Sequence, residues 1–257
     1  MRNLLQLLPF VMLFWLMQVQ AEQLLAVAPN VERNQQALFQ AGYRIVHSTI
    51  TEEAGLDSRL EFLPIAEVRA LLARREAQMQ IGGVCDVKRH APVIYSVPFA
   101  TTYRHLISAD QTPVLTQLKD IRLLRLGLIR GYFYQLPDQR GLDALGVEVH
   151  YSKDLKTSVQ LLLAGRVDAI LSNAQVVTNI TRAMQQDARI HFQMDEPFSQ
   201  RNLCYVFPDT ADSQVLAERM NAAISRLYHS GRLQQILVPP YQVPNSEHFR
   251  SKLEQPE

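Results

Sequence analysis

Short apolar runs of strand length alternate with amphipathic helical stretches twice along this chain, and that alternation points to mostly parallel β-sheets covered by helices. Residues 24–28, Leu-Leu-Ala-Val-Ala, form an apolar run that stops at Pro29-Asn30, as a buried strand does. Tyr43, Val46, Ile50 and Ala54 then share one helical face, and Gly55 follows where a C-cap glycine belongs. Residues 60–64 read as a second strand, and residues 66–77 as a helix with Val68, Leu71 and Leu72 facing inward. Residues 79–81 read as a third strand, closed by Gly82-Gly83. The same order returns further on. Strands are expected at 124–129, ending at Gly131, and at 147–150; a helix over 157–164 is capped by Gly165, and residues 166–171 lead into another strand. Residues 203–207 read as a strand, and Leu216, Met220, Ile224 and Leu227 form the inner stripe of a helix that stops at Gly231. The expected fold class is α/β, with two similar lobes, each a mostly parallel sheet covered by helices.

The N-terminus reads as an address. Arg2 supplies a positive charge, residues 4–17 are almost wholly apolar, and Val19-Gln20-Ala21 offers the small side chains that a signal peptidase reads, so cleavage is expected after Ala21. The apolar stretch is shorter than the roughly 20 residues that span a bilayer, and Pro9 interrupts it. Glu22, not Cys, follows the cut, so the product is expected to be soluble in the periplasm. A hydrophobic fraction of 47% and a net charge of +1 describe a soluble globular protein, and no basic run with interleaved aromatics suggests nucleic acid. Cys85 and Cys204 either pair as a disulfide in that oxidising setting or remain two buried thiols.

One segment carries binding chemistry. Arg89 has a guanidinium whose fork matches a carboxylate, and Tyr95, Ser96, Pro98 and Phe99 follow it in an apolar, β-branched run. The alternative for this segment alone is a surface Arg before an edge strand. In its spacing the segment resembles the family-3 extracellular solute-binding proteins. The resemblance extends over nearly the whole mature chain, through 163–169 (Leu-Ala-Gly-Arg-Val-Asp-Ala), Phe207-Pro208-Asp209, 220–224 and 230–236. It implies a type II periplasmic binding-protein fold. The first lobe would then comprise residues 22–102 and 201–240, the second 103–200, with hinge crossings near 99–103 and 199–203 and a flexible tail over 241–257.

The resemblance also implies a ligand site between the lobes. Arg89 would anchor a carboxylate, and Gly131-Tyr132 would offer backbone N–H groups from the second lobe; Val84 and Asp86 depart from the family's threonines before the Arg, and Asp86 either adds a negative group near the clamp or simply orients Arg89. Gly82 stands at a backbone carbonyl used for amines, or is a plain turn glycine. Amino-acid binders of the family usually carry an Asp five residues after the motif Asp, here Asp168, and this chain has Asn173 there. An amide supplies no countercharge for an ammonium, so a standard α-amino acid is in doubt. The expected ligand is a small, polar, carboxylate-bearing molecule.

Catalytic patterns are scarce. The seven histidines show no metal-ligand spacing, neither cysteine lies in a redox motif, and no phosphate loop follows a strand. We therefore expect no cofactor and a monomeric binding protein rather than an enzyme, whose partners are the ligand and the membrane permease of an ATP-driven importer. Two alternatives stay open: a ligand sensor docked on a membrane receptor, and a dehydratase acting on a prephenate-like carboxylate, with Asp86 or Glu196 as the acid.

Overall fold

The computed structural model describes residues 23–29, 36–85, 87, 91–132, 134–237 and 241–244. The expected leader, Asp86, Arg89 and the last 13 residues lie outside that set. Strands β1 (Leu24–Pro29), β2 (Ser58–Leu63) and β3 (Met79–Val84) alternate with helices α1 (Gln36–Glu53) and α2 (Ile65–Ala73). β1 pairs in parallel with both β2 and β3. Its residues divide by the two-residue period of a strand: Ala26 and Ala28 pack toward α1, while Val27 packs on Val68 and Leu72 of α2. Both faces are therefore covered, which is why the run is apolar throughout.

The second unit repeats the plan. β6 (Arg125–Ile129), β7 (Glu148–Ser152) and β8 (Ala169–Ser172) alternate with α3 (Gln139–Ala144) and α4 (Leu155–Leu163), and β6 pairs in parallel with β7 and β8. Asp154 caps α4 by accepting from Thr157 N. Asp168, of the 163–169 motif, accepts from the backbone N of Arg125 at 2.8 Å and from its guanidinium at 2.6 Å, which ties β8 to β6.

Two long strands join the units. β5 (Ala100–Ala109) pairs with β8 through residues 105–108, and β10 (Ser199–Pro208) pairs with β3 and with β4 (Val93–Tyr95). Between these stretches β5 and β10 pair with each other, antiparallel, from Ser199 opposite Arg104 to Leu203 opposite Ala100. The strand order is β2-β1-β3-β10-β5-β8-β6-β7, with β4 and β9 (Ile190–His191) off this path. The chain crossings are thus not bare connectors but a hydrogen-bonded ribbon that makes the two sheets continuous. Helices α5 (Ala174–Ala183), α6 (Ala211–His229) and α7 (Arg232–Ile236) complete the cover.

Cys85 and Cys204 form a disulfide between β10 and the end of β3, so the sequence alternative of two thiols does not hold. Ser96 accepts from Tyr205 N at 2.9 Å, and Asn221 of α6 accepts from Val97 N at 2.8 Å. These motif residues fasten the chain just before β5. The start of the expected tail is docked: Gln242 exchanges backbone hydrogen bonds with Thr101, and Pro244 is buried. Residues 241–244 are held because β5 still has an unpaired edge at Thr101 that can accept a further strand.

Candidate functional site

The carboxyl ends of the two parallel strand sets come together at the β5–β10 ribbon, where open α/β sheets hold ligands. Arg69 of α2 donates to the Gly131 carbonyl at 2.9 Å, and a Cβ on Gly131 would lie 3.6 Å from Ile65. The lobes therefore touch at this point. Gly131 has φ +82°, a left-handed conformation that turns the chain out of β6 and aims its carbonyl at α2. Tyr132 follows, 40% exposed, close enough to Tyr43 and Tyr241 to act on both electrostatically.

Gly82 lies within β3 at φ +75°, and a Cβ there would fall 2.3 Å from the Tyr43 hydroxyl. The tyrosine fills the place of the missing side chain, so packing alone requires a glycine here. Burial pushes the Tyr43 phenol up to about 12, and its hydroxyl pairs with that of Tyr241, whose ring meets it edge-on at 5.6 Å. The docked segment 241–244 thus reaches the same corner as Gly82 and Tyr132.

Asn173 stands at the other side of the ribbon. It caps α5, its Oδ1 accepting from Val176 N at 3.1 Å, and its Nδ2 donates to the Tyr103 carbonyl at 3.0 Å and toward Thr102 Oγ1 at 3.5 Å. Both ends of the amide are engaged with protein groups. Arg89 and Asp86 lie outside the described residues; Tyr95 donates its hydroxyl to the carbonyl of Val87. Glu196 is exposed on the stretch between β9 and β10.

The ribbon itself brings in residues that the sequence reading did not single out. Arg104 stands opposite Ser199 and Thr102 opposite Arg201, so the period of two puts all four side chains on one face, beside Asn173. Arg201 is 2% exposed. Arg104 lies over the Tyr134 ring at 4.6 Å. Burial, and then the like charge of Arg104, bring the Arg201 guanidinium down to about 10, while Tyr134 acts in the opposite sense. Burial lowers Arg104 too. The buried Ser199 Oγ has no hydrogen-bond partner among the described residues. Two arginines at strand spacing on separate crossings were visible as residues, but only the register shows that they share a face. Among the described residues no group of three His, Cys, Asp or Glu side chains is placed to hold a metal ion.

No protein-family model matches the chain, and no curated protein matches its sequence. Solved structures do match. A histidine kinase sensor domain described as similar to periplasmic binding proteins aligns at TM-score 0.67 and 14% identity, covering 87% of this chain and 98% of that one. ArtJ, the arginine-, lysine-, histidine-binding protein of Geobacillus stearothermophilus, aligns at 0.67 and 14%, covering 89% of this chain and 100% of its own. The GluR0 ligand-binding core of Nostoc punctiforme, solved with L-glutamate, aligns at 0.62 and 14%, over 83% and 96%. At such identity the likeness is one of fold, and the chain has the type II periplasmic binding-protein fold.

Proposed function

We propose that this chain is an exported solute-binding protein of the family-3 kind, which captures a small carboxylate-bearing solute between its lobes and delivers it to an ATP-driven importer. The observation that carries this reading is the cationic floor at the lobe junction, where Arg104 and Arg201 share one face of the crossing ribbon. Guanidiniums at the carboxyl ends of parallel strands are groups that can pair with a small anion. Arg89 is the proposed carboxylate anchor, oriented by Asp86, and Gly131-Tyr132 is the proposed second-lobe contact. Asn173 is the proposed position that withholds a countercharge from an ammonium. The lobes are assigned to 22–102 with 201–240 and to 103–200, the ribbon acting as hinge. A disulfide fits an oxidising compartment, which supports export after cleavage at Ala21. ArtJ and GluR0 bind amino acids on this fold, which supports binding over catalysis.

A sensor role is the second reading, favoured by the histidine kinase sensor domain among the structural matches. Both readings need a ligand. A thermal-shift screen of amino acids, dicarboxylates, aromatic acids and polyamines tests the capture claim. At a concentration 100-fold above Kd, a carboxylate should stabilise the fold by about 2.7 kcal/mol, raising Tm by about 5–10 °C. A response to polyamines alone, or to none of the carboxylates, would overturn it.

A further inference from the structure

We infer that residues 241–244 are a strap on the hinge: docked, they bias the lobes toward the arrangement in which Arg69 reaches Gly131, and undocked, they let the lobes swing apart. The inference concerns the molecule without a ligand and does not depend on which solute is captured. Its basis is the edge of β5. Thr101 lies between the ribbon pairs Ala100–Leu203 and Thr102–Arg201, and its backbone groups point away from β10. Thr101 N donates to the Gln242 carbonyl at 2.7 Å, and the Thr101 carbonyl accepts from Gln242 N at 2.9 Å. Two residues on, the Tyr103 carbonyl accepts from Asn173 Nδ2, and from His105 onward β8 takes the same edge. One edge of the crossing strand is thus shared in turn by the strap, by the cap of α5 and by β8. The strap follows α7, which packs into the first-lobe core through Leu233; the other two belong to the second lobe.

The strap also reaches the lobe junction. Its first residue, Tyr241, meets the Tyr43 ring edge-on at 5.6 Å and closes a small apolar cavity lined by Gly42, Val46, Ile81, Phe99 and Leu237. Tyr132, which enters from the second lobe beside Gly131, acts electrostatically on both tyrosines. The last residue, Pro244, is buried. Undocking therefore has two effects on closure. It takes Tyr241 out of the corner that Tyr132 meets, and it reduces the ribbon at Thr101 from three strands to two. Two-stranded ribbons twist more than wider sheets, so the crossing becomes easier to deform at the point about which the lobes turn. Thr101 is fully buried with the strap in place, and its N–H and C=O pass to water when the strap leaves.

Small-angle scattering and hydrogen exchange of the ligand-free, full-length mature protein test this. Gln242→Pro removes the N–H that the Thr101 carbonyl accepts, whereas Gln242→Ala keeps both backbone bonds and alters only an exposed side chain. The Pro variant should exchange the Thr101 amide about tenfold faster and show a larger radius of gyration, the loss of one hydrogen bond shifting the ratio of open to closed forms by about 2- to 10-fold. Gln242→Ala should match the wild type in both measurements. Tyr241→Ala, which empties the junction corner, is a second route to the same opening, and thermal melting checks that each variant is folded. Faster exchange at Thr101 with an unchanged radius of gyration in both Gln242→Pro and Tyr241→Ala would make the segment a local brace and overturn the strap. Because no ligand is added, that outcome leaves solute capture to be decided by its own screen.

Discussion

Replacing Cys85 and Cys204 together by Ala should cost the folded chain about 3–5 kcal/mol. The two cysteines are 119 residues apart in sequence, so their bond closes a loop that starts just after β3, takes in β4 to β9 with the helices between them, and ends within β10. In the chain-entropy account a loop of this length restricts the unfolded state by about 5 kcal/mol, and the spread among measured bonds is wide. Both residues are buried, at 8% and 0% exposure, so Ala is preferable to Ser, which would add an enclosed hydroxyl. The backbone around the bond is already paired, Cys85 N donating to the Asn202 carbonyl at 3.0 Å. The fold should therefore survive the loss with a lower midpoint. Urea denaturation of the double variant, and of the wild type with reductant, should give matching decreases. A midpoint that moves in neither sample would mean that β3 and β10 hold the loop closed unaided.

Acid should weaken the fold between about pH 6.5 and pH 4, by about 3 kcal/mol from one side chain. His47 is 3% exposed in the first-lobe core, with Nδ1 at 3.2 Å from the Tyr205 hydroxyl and Nε2 at 2.9 Å from Ser58 Oγ. Burial lowers its pKa from 6.5 to about 4. Above pH 6.5 the imidazole is neutral in both states and pH has no effect through it. Below that, the unfolded chain takes up a proton that the folded chain refuses, so stability falls with falling pH until about 4 and then levels off for this group. His105, also lowered by burial, adds in the same direction. Asp168, Asp110 and Asp120, held low by hydrogen bonds, give up stability only further down, as they protonate. Denaturation midpoints at pH 7.5, 6, 5 and 4 should slope for the wild type and flatten in His47→Gln. An equal slope in both would remove His47 as the source.

The strands flanked by parallel neighbours were legible because burial on both faces leaves an unbroken apolar run, as in 24–28 and 124–129. β5 was not read as a strand beyond its first residues. Its sequence, Ala-Thr-Thr-Tyr-Arg-His-Leu-Ile-Ser-Ala, changes character halfway, since the first half forms the ribbon floor and only the second enters a two-sided core. α5 escaped notice because Val176, Val177, Thr178 and Ile180 are β-branched, although Asn173 supplies a cap and Val177, Ile180 and Thr181 face inward. At the site, Gly82 and Gly131 were readable as positions needing unusual backbone, and both have positive φ. That Tyr43 fills the space at Gly82, that Cys85 meets Cys204, and that Arg104 and Arg201 share a face all depend on pairings between distant segments. No local pattern encodes them.

Capture between hinged lobes is tested most directly by small-angle scattering of the wild-type protein with and without the strongest ligand from the thermal-shift screen. A ligand that binds across the lobes shifts the population toward the arrangement in which Arg69 reaches Gly131. The account predicts a smaller radius of gyration at saturation, with the bound profile matching that contact geometry and the ligand-free profile more extended. Identical profiles in the two samples would contradict it.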